Sequence, residues 1–282
     1  MPIQAIQHIR RMRGGAQSHL MCCADSNYYV VKFQNNPQHT RVLVNDWLGT
    51  RLAGMIGLPV PVVDVVDVHP WLIEQSPELR IEICGRQTMV TSGPSFGSRY
   101  VVPPTEGDVY DYLSEAMIGR RLRNLSSFAG ILAFDKWTCN ADGRQAAFWK
   151  RRGERKFTAT FIDQGYCFNA GEWSFPDAPL RGVFGRNDVY AGITGWDSFE
   201  PWLSRIEGFS EKSLRPLVDQ IPPEWYDSAG DELERLLTLL LERRSRVGDL
   251  ILSFKNSSRA PFPSWRVAIV VAQQDHSQTA SQ

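Results

Sequence analysis

Hydrophobic and polar positions change period along the chain, and the changes mark its elements. Residues 27–33 (Asn-Tyr-Tyr-Val-Val-Lys-Phe) are β-branched and aromatic, and read as a strand pairing back across a glycine-containing turn at residues 13–18. Apolar positions at Leu43, Val44, Trp47, Leu48, Leu52 and Met55 recur at helical spacing and predict a helix over 41–56. Residues 60–68 are a β-branched run flanked by prolines, and residues 81–91 are a further strand candidate. The stretch 91–104, rich in Gly, Ser and Pro, has the composition of a connector approaching a hinge. From Asp108 the pattern turns helical, with helices predicted over 109–118 and 125–137, the second with Ser126 and Ser127 as cap candidates. Residues 164–200 carry Gly, Asp, Trp and Phe with little periodicity. A leucine stripe from Leu233 to Leu241 then predicts one helix over 231–252.

The chemistry collects at the junctions of these elements. Asp142 lies in a polar loop after an apolar helical stretch, and Asp163 ends a run of strand-forming residues 21 positions later, the spacing of a hairpin between two loops. One acid placed to accept a proton and another to hold Mg2+ is the minimum of a phosphoryl-transfer site. Upstream, Gly14 and Gly15 allow backbone N–H groups to approach phosphate oxygens, although such a pair is more often only a hairpin turn. Lys32, on the strand after Val30 and Val31, suits nucleotide phosphates and needs an acidic partner to stay charged. Asp46, on the helix over 41–56, is the candidate partner.

In this order the motifs resemble the bacterial HipA-like kinases. The resemblance runs over roughly residues 5–253. It rests on Gly-Gly-Ala-Gln-Ser-His at 14–19, Val-Val-Lys at 30–32, Leu-Val-Asn-Asp-Trp-Leu at 43–48, Gly-Leu-Pro-Val-Pro at 57–61 and Phe-Gly-Ser-Arg-Tyr at 96–100. Further along it includes Phe-Asp-Lys-Trp at 134–137, Asn-Ala-Asp at 140–142, Ile-Asp-Gln-Gly at 162–165 and Ile-Pro-Pro-Glu-Trp at 221–225. It implies an α+β, two-lobed protein-kinase-like fold, distantly similar to the phosphatidylinositol kinases. The β-rich N-lobe would span residues 1–103, the mainly helical C-lobe 104–255, and a partly disordered tail 256–282.

By the same resemblance the ligands are ATP and Mg2+, and the acceptor is a protein Ser/Thr or a small-molecule hydroxyl. Lys32 becomes the nucleotide lysine, Asp46 its helix partner, Asp142 the catalytic base and Asp163 the metal ligand. Ser18 occupies a region where some members carry a phosphorylatable serine. The chain departs from the family pattern at Ala147, where an Asn is expected as a second metal ligand five residues after the catalytic Asp. Gln145 and Asn140 are the residues that can substitute for it. The alternative function is a catalytically impaired pseudokinase acting as a nucleotide-binding or protein-interaction module.

Composition narrows the setting. Net charge is zero with 31 basic and 31 acidic residues, which argues against a broad nucleic-acid-binding surface. Three local basic clusters remain, at residues 10–13, 120–123 and 150–152, and each reads first as a solvated face. Five cysteines without zinc spacing and five dispersed histidines point to reduced thiols and a cytoplasmic location, with His19 structural. No apolar run is long enough for a membrane span. Residues 265–272 are apolar but short, and the polar residues that follow read as disordered.

Overall fold

The computed structural model describes residues 2–39, 41–227 and 229–266. The expectations for 267–282 lie outside the described residues.

Five strands close into a barrel in the order β1 (Ile3–Arg11), β2 (His19–Cys23), β3 (Tyr28–Lys32), β7 (Gly93–Arg99) and β4 (Val63–Val68). The closing contact is parallel, Ile3 opposite Val66 and Gln4 opposite Asp67. Closure satisfies both edges of a sheet that would otherwise present unpaired backbone groups. Alternation decides what each strand buries. Tyr29, Val31 and Phe33 join Met21, Cys23, Val66 and Val68 in one core. That core is capped by α2 (Pro70–Gln75) and the hairpin of β5 (Arg80–Ile83) and β6 (Arg86–Met89). The opposite face, carrying Phe96 and Val63, packs on α1 (Val42–Met55), which belongs to the larger core.

Three predicted elements take a different form. Residues 81–91 are not one strand but the β5–β6 hairpin. Cys84 (φ 50°) and Gly85 (φ 76°) both take the left-handed conformation that a two-residue hairpin turn demands. The Gly- and Ser-rich stretch at 91–104 is not all connector, since β7 within it pairs with both β3 and β4. A Cβ on Gly97 would collide with the Val66 side chain, so glycine there makes room for the barrel core. Residues 109–118 divide between β8 (Gly107–Tyr110) and α3 (Glu115–Arg121), because Val109 and Tyr110 pair with β9 (Gln145–Arg151).

The strands β10 (Thr158–Ile162), β9 and β8 form a second sheet, and the chain passes from barrel to sheet through residues 100–106. Behind this sheet α4 (Ser127–Trp137) is buried along its whole length. Short 3-10 turns, α5 (Trp202–Glu207) and α6 (Glu211–Val218) follow. The single helix predicted over 231–252 is instead two, α7 (Gly230–Arg243), which carries the whole leucine stripe, and α8 (Val247–Lys255), separated by a 3-10 turn at Arg244–Arg246. At this break Arg243 turns inward, donating to the carbonyls of Lys136, Phe175 and Pro176. Arg244 bonds the carbonyls of Glu207 and Phe209. The architecture is α+β, strand-rich in its first part and helical later. No helix among the described residues is long and apolar enough to cross a membrane, and all five cysteines are free thiols.

Candidate active site

Because Tyr29 and Val31 face the barrel interior, Lys32 projects from the outer face toward α1. Its Nζ donates to Asp46 Oδ2 at 2.7 Å and to Asp163 Oδ1 at 2.9 Å, joining the barrel, α1 and the end of β10. The other oxygen of Asp46 accepts from the backbone N–H of Gln164 at 2.9 Å. One buried carboxylate on α1 therefore grips both the lysine and the chain beyond Asp163. Asp163 itself has φ 61°, a left-handed conformation that costs a non-glycine residue about 1–3 kcal/mol and persists where surroundings over-determine it. Two residues on, a Cβ at Gly165 would lie 2.7 Å from Val42 Cγ2 and 3.0 Å from Asp46 Oδ2. Only glycine lets the segment pass so close to α1.

The charges respond to this packing. Burial disfavours the cation on Lys32, but Asp163 and Asp46 outweigh it and hold the pKa above the ordinary lysine value. Burial pushes Asp46 up to about 6 in spite of Lys32. Asp163 also feels burial, yet Lys32 and Arg144 hold it below the usual carboxylate range. Of the two carboxylates on the lysine, Asp163 carries the more secure negative charge.

Gln145, the first residue of β9, donates from Nε2 to Asp163 Oδ2 at 3.2 Å. Ala147 lies two residues further along β9, opposite Thr160 and on the same face. The amide that meets the aspartate thus comes three residues after Asp142, not five. Asn140 is drawn elsewhere. It is buried, its Nδ2 donates to Asp135 Oδ1 at 3.0 Å, and its Oδ1 accepts from the Asp142 N–H at 3.1 Å. Among the described residues it makes no hydrogen bond to Asp163, and its role in the geometry is to hold the loop. Asp142 is exposed at the tip of that loop, its Oδ1 accepting from the Gly143 N–H at 2.7 Å.

Gly14, Gly15 and Ser18 lie together in the β1–β2 turn, closed by Met12 N–H to Ser18 O and Gln17 N–H to Gly14 O. Gly14 has φ 120°, and Ser18 is buried. Among the described residues no hydrogen bond joins this turn to Lys32 or Asp163. It is tied instead to β5, where the Gln17 amide donates to Glu82 O at 2.8 Å and accepts from Glu82 N–H at 2.7 Å.

His19, the next residue, has no exposed surface. Its Nδ1 lies 3.0 Å from His8 Nε2 and its Nε2 3.2 Å from the Arg80 carbonyl. Burial, reinforced by His8 and Arg11 against the Arg80 carbonyl, lowers its pKa to about 4. An unfolded histidine takes up its proton near pH 6.5. The stability this neutral ring contributes is therefore present above pH 6.5 and lost as pH falls toward 4. The unfolding free energy of the native protein, from denaturant titration, should fall below pH 6.5 by an extra ~1 kcal/mol per pH unit at most, relative to His19→Gln. The comparison isolates the histidine from Asp46, whose raised pKa acts in the opposite direction between about pH 6 and 4. Equal pH slopes in the two proteins would contradict it.

Four positioning groups escape a reading of the sequence. Asn45, fully buried on α1, donates from Nδ2 to the carbonyls of Gly165, Cys167 and Ala170 and accepts from Trp173 Nε1. It clamps the segment after Asp163 to α1. His39 Nε2 lies 2.9 Å from the same Gly165 carbonyl. Asp135 and Arg144 form a buried bidentate ion pair, and Arg144 Nη1 reaches the carbonyls of Ile162 at 3.0 Å and Asp163 at 3.4 Å. For Asn45 and Asp135 the available signal is a polar residue inside an otherwise apolar helix, whereas His39 and Arg144 lie outside the helices and carry no such signal.

The HipA-like kinase family profile matches residues 5–151, just over half of the chain. A comparison with curated protein sequences finds no match. Among solved structures, the Helicobacter pylori proinflammatory kinase CtkA is similar with TM-score 0.57 and 13% identity, covering 89% of this chain and 97% of that one. The Golgi casein kinase superposes with TM-score 0.53 and 12% identity over 92% of this chain and 74% of its own. Hydra Fam20, solved with sugar, does so with TM-score 0.50 and 11% identity over 91% and 87%. At these identities the likeness shows the fold, which is kinase-like. By its profile match this chain belongs to the HipA-like kinase family.

Proposed function

We propose that the protein is an ATP-dependent phosphotransferase that moves the γ-phosphoryl group to a hydroxyl, with a protein Ser or Thr as the favoured acceptor. Family membership supports the kinase-type activity. The observation that carries the finer reading is Lys32 bridging Asp46 and Asp163, with Gln145 on the second oxygen of Asp163. A cavity of about 660 Å3 opens further along the same strands, lined by Tyr28, Val60, Tyr100, Val101, Trp149 and Thr160. Tyr28 is four residues before Lys32, and Trp149 four residues after Gln145. Strand geometry thus separates cavity and charged cluster by about 13 Å, within the reach of an extended nucleoside triphosphate. We assign the base to the cavity and the phosphates to Lys32, with the Gly14–Gly15 turn above them, in lobes divided near residue 103.

The donor set fits Mg2+. Among the described residues no three His, Cys, Asp or Glu side chains gather as a metal cage, and Mg2+ characteristically takes one or two carboxylates plus substrate phosphates. Asp163 and Gln145 would hold it, Gln145 through its amide oxygen, and Asn140 is not needed. The bound ion would neutralise charge on the phosphates. Asp142, exposed and free to meet a second substrate, orients the acceptor hydroxyl and takes its proton. Free thiols are in keeping with a cytoplasmic protein. Ala147 favours a second reading, a pseudokinase that binds nucleotide without transfer.

Thermal unfolding with ATP, with and without Mg2+, tests the site. Ligand at about a hundred times its Kd adds roughly 2.7 kcal/mol, a rise in Tm of about 5 °C for a chain of this size. Asp163→Ala should lose the Mg2+-dependent part. No rise at millimolar nucleotide would refute nucleotide binding. A rise without detectable transfer would select the pseudokinase.

A further inference from the structure

Two of the three basic clusters noted in the sequence meet in space. The chain after α3 runs beside the start of β10, with Phe157 N–H donating to Arg121 O at 2.8 Å and Arg123 N–H to Phe157 O at 2.9 Å. This brings Arg120 and Arg121 next to the β9–β10 turn, which carries Arg152, Arg155 and Lys156. All five are exposed, and none forms an ion pair among the described residues. The neighbouring cations are neutralised, Arg123 by Glu154 at 3.0 Å and Lys150 by Asp108 at 3.3 Å. Five cations without an ion-pair partner among the described residues thus gather at one end of one sheet.

We infer that this end of the sheet is a docking surface for an acidic, extended peptide segment of a partner protein. The apolar residues interleaved with the cations turn inward: Phe157 is 3% exposed and Leu122 packs against the core. Tyr110, 43% exposed with its ring centroid 5.7 Å from that of Phe157, is an exposed aromatic beside them. One tyrosine is neither an apolar wedge for a membrane surface nor a platform on which successive bases stack. Glu154 stands among the cations, where a nucleic-acid backbone with its dense phosphate charge would meet a carboxylate. A peptide can place acidic side chains on the five free cations and leave Glu154 uncovered.

The surface lies at the opposite end of β9 from Gln145, six residues or about 20 Å from the Asp163 cluster. A segment docked here and reaching that cluster needs at least about six intervening residues of extended chain. The docking itself does not depend on phosphoryl transfer and is measured without it.

The experiment is fluorescence anisotropy of the full chain with a labelled peptide of alternating Glu and Ser. A Gln-for-Glu peptide, a DNA oligonucleotide of equal charge and phosphatidylserine vesicles serve as comparisons. The variant Arg120→Glu/Arg121→Glu/Arg155→Glu/Lys156→Glu touches none of the active-site groups, and an unchanged Tm checks its folding. The acidic peptide should bind the native chain in a salt-sensitive manner, more tightly than the other three probes, and at least about tenfold more weakly in the variant. No binding, or binding the variant retains, would make the patch a solvated face and overturn the inference. DNA or vesicles binding as tightly as the acidic peptide would overturn it in favour of a polyanion or membrane surface.

Discussion

Asp142→Asn should lower the phosphoryl-transfer rate by about 10²- to 10⁴-fold, the contribution of a positioned general base. It should leave the Mg2+–nucleotide rise in Tm unchanged. The separation of the two effects follows from geometry. Asp142 sits at an exposed loop tip and bonds only its own loop, through its N–H to Asn140 Oδ1 and its Oδ1 to Gly143 N–H. Asn accepts the Gly143 N–H through its own Oδ1, so the loop keeps its shape while the proton acceptor is removed. Lys32, Asp46, Gln145 and Asp163 form a connected group to which the Asp142 side chain is not hydrogen-bonded. Initial rates at saturating nucleotide measure the loss. Transfer at the native rate in Asp142→Asn would remove Asp142 as the base and direct attention to water-mediated or substrate-assisted proton transfer.

The residues legible in the sequence are those whose position follows from local periodicity. Lys32 follows Val31 on a strand whose odd positions are apolar, so its outward direction is set by alternation alone. Helix 41–56 is read within a residue at each end, because its apolar repeat has no competing signal. The pairing of Lys32 with Asp46 follows from a strand lysine that needs an acid and an acidic position on the next helix, and is present at 2.7 Å. Its sharing with Asp163 spans 131 residues and has no local trace. The same applies to Gln145 against Asn140. Both are amides near an aspartate, and only the tertiary structure shows that Asp135 engages Asn140 while β9 carries Gln145 to Asp163. The misread strand β7 has a related origin. Its Gly, Ser and Pro are loop-like in composition, but Gly97 answers a packing constraint set by Val66, which sequence proximity does not reveal.

Arg144→Ala should be the most destabilising single substitution near the site, at about 3–5 kcal/mol, because it leaves the Asp135 carboxylate buried without its counter-charge. The Arg144 side chain is 1% exposed and that of Asp135 is 0% exposed, so water cannot replace the lost partner. Urea unfolding measures this loss. Arg144→Lys should recover only part of it, since an ammonium cannot reproduce the two-pronged contact to Asp135 together with the bonds to Ile162 O and Asp163 O. The informative variant is Asp135→Leu/Arg144→Met. It removes both charges together, leaving the Asn140 amide as the principal unpartnered group, a cost of about 1–3 kcal/mol. Stability should therefore rise again relative to Arg144→Ala. The transfer rate should not recover fully, because the Asp142 loop then loses the Arg144 bonds to the carbonyls of Ile162 and Asp163. Of its ties to that segment it keeps only Ala141 N–H to Tyr166 O and the pairing of Gln145 with the end of β10. A merely structural pair would recover rate along with stability. A double variant that is folded, binds Mg2+–nucleotide and remains slow would establish that the ion pair sets the distance between the base and the metal aspartate.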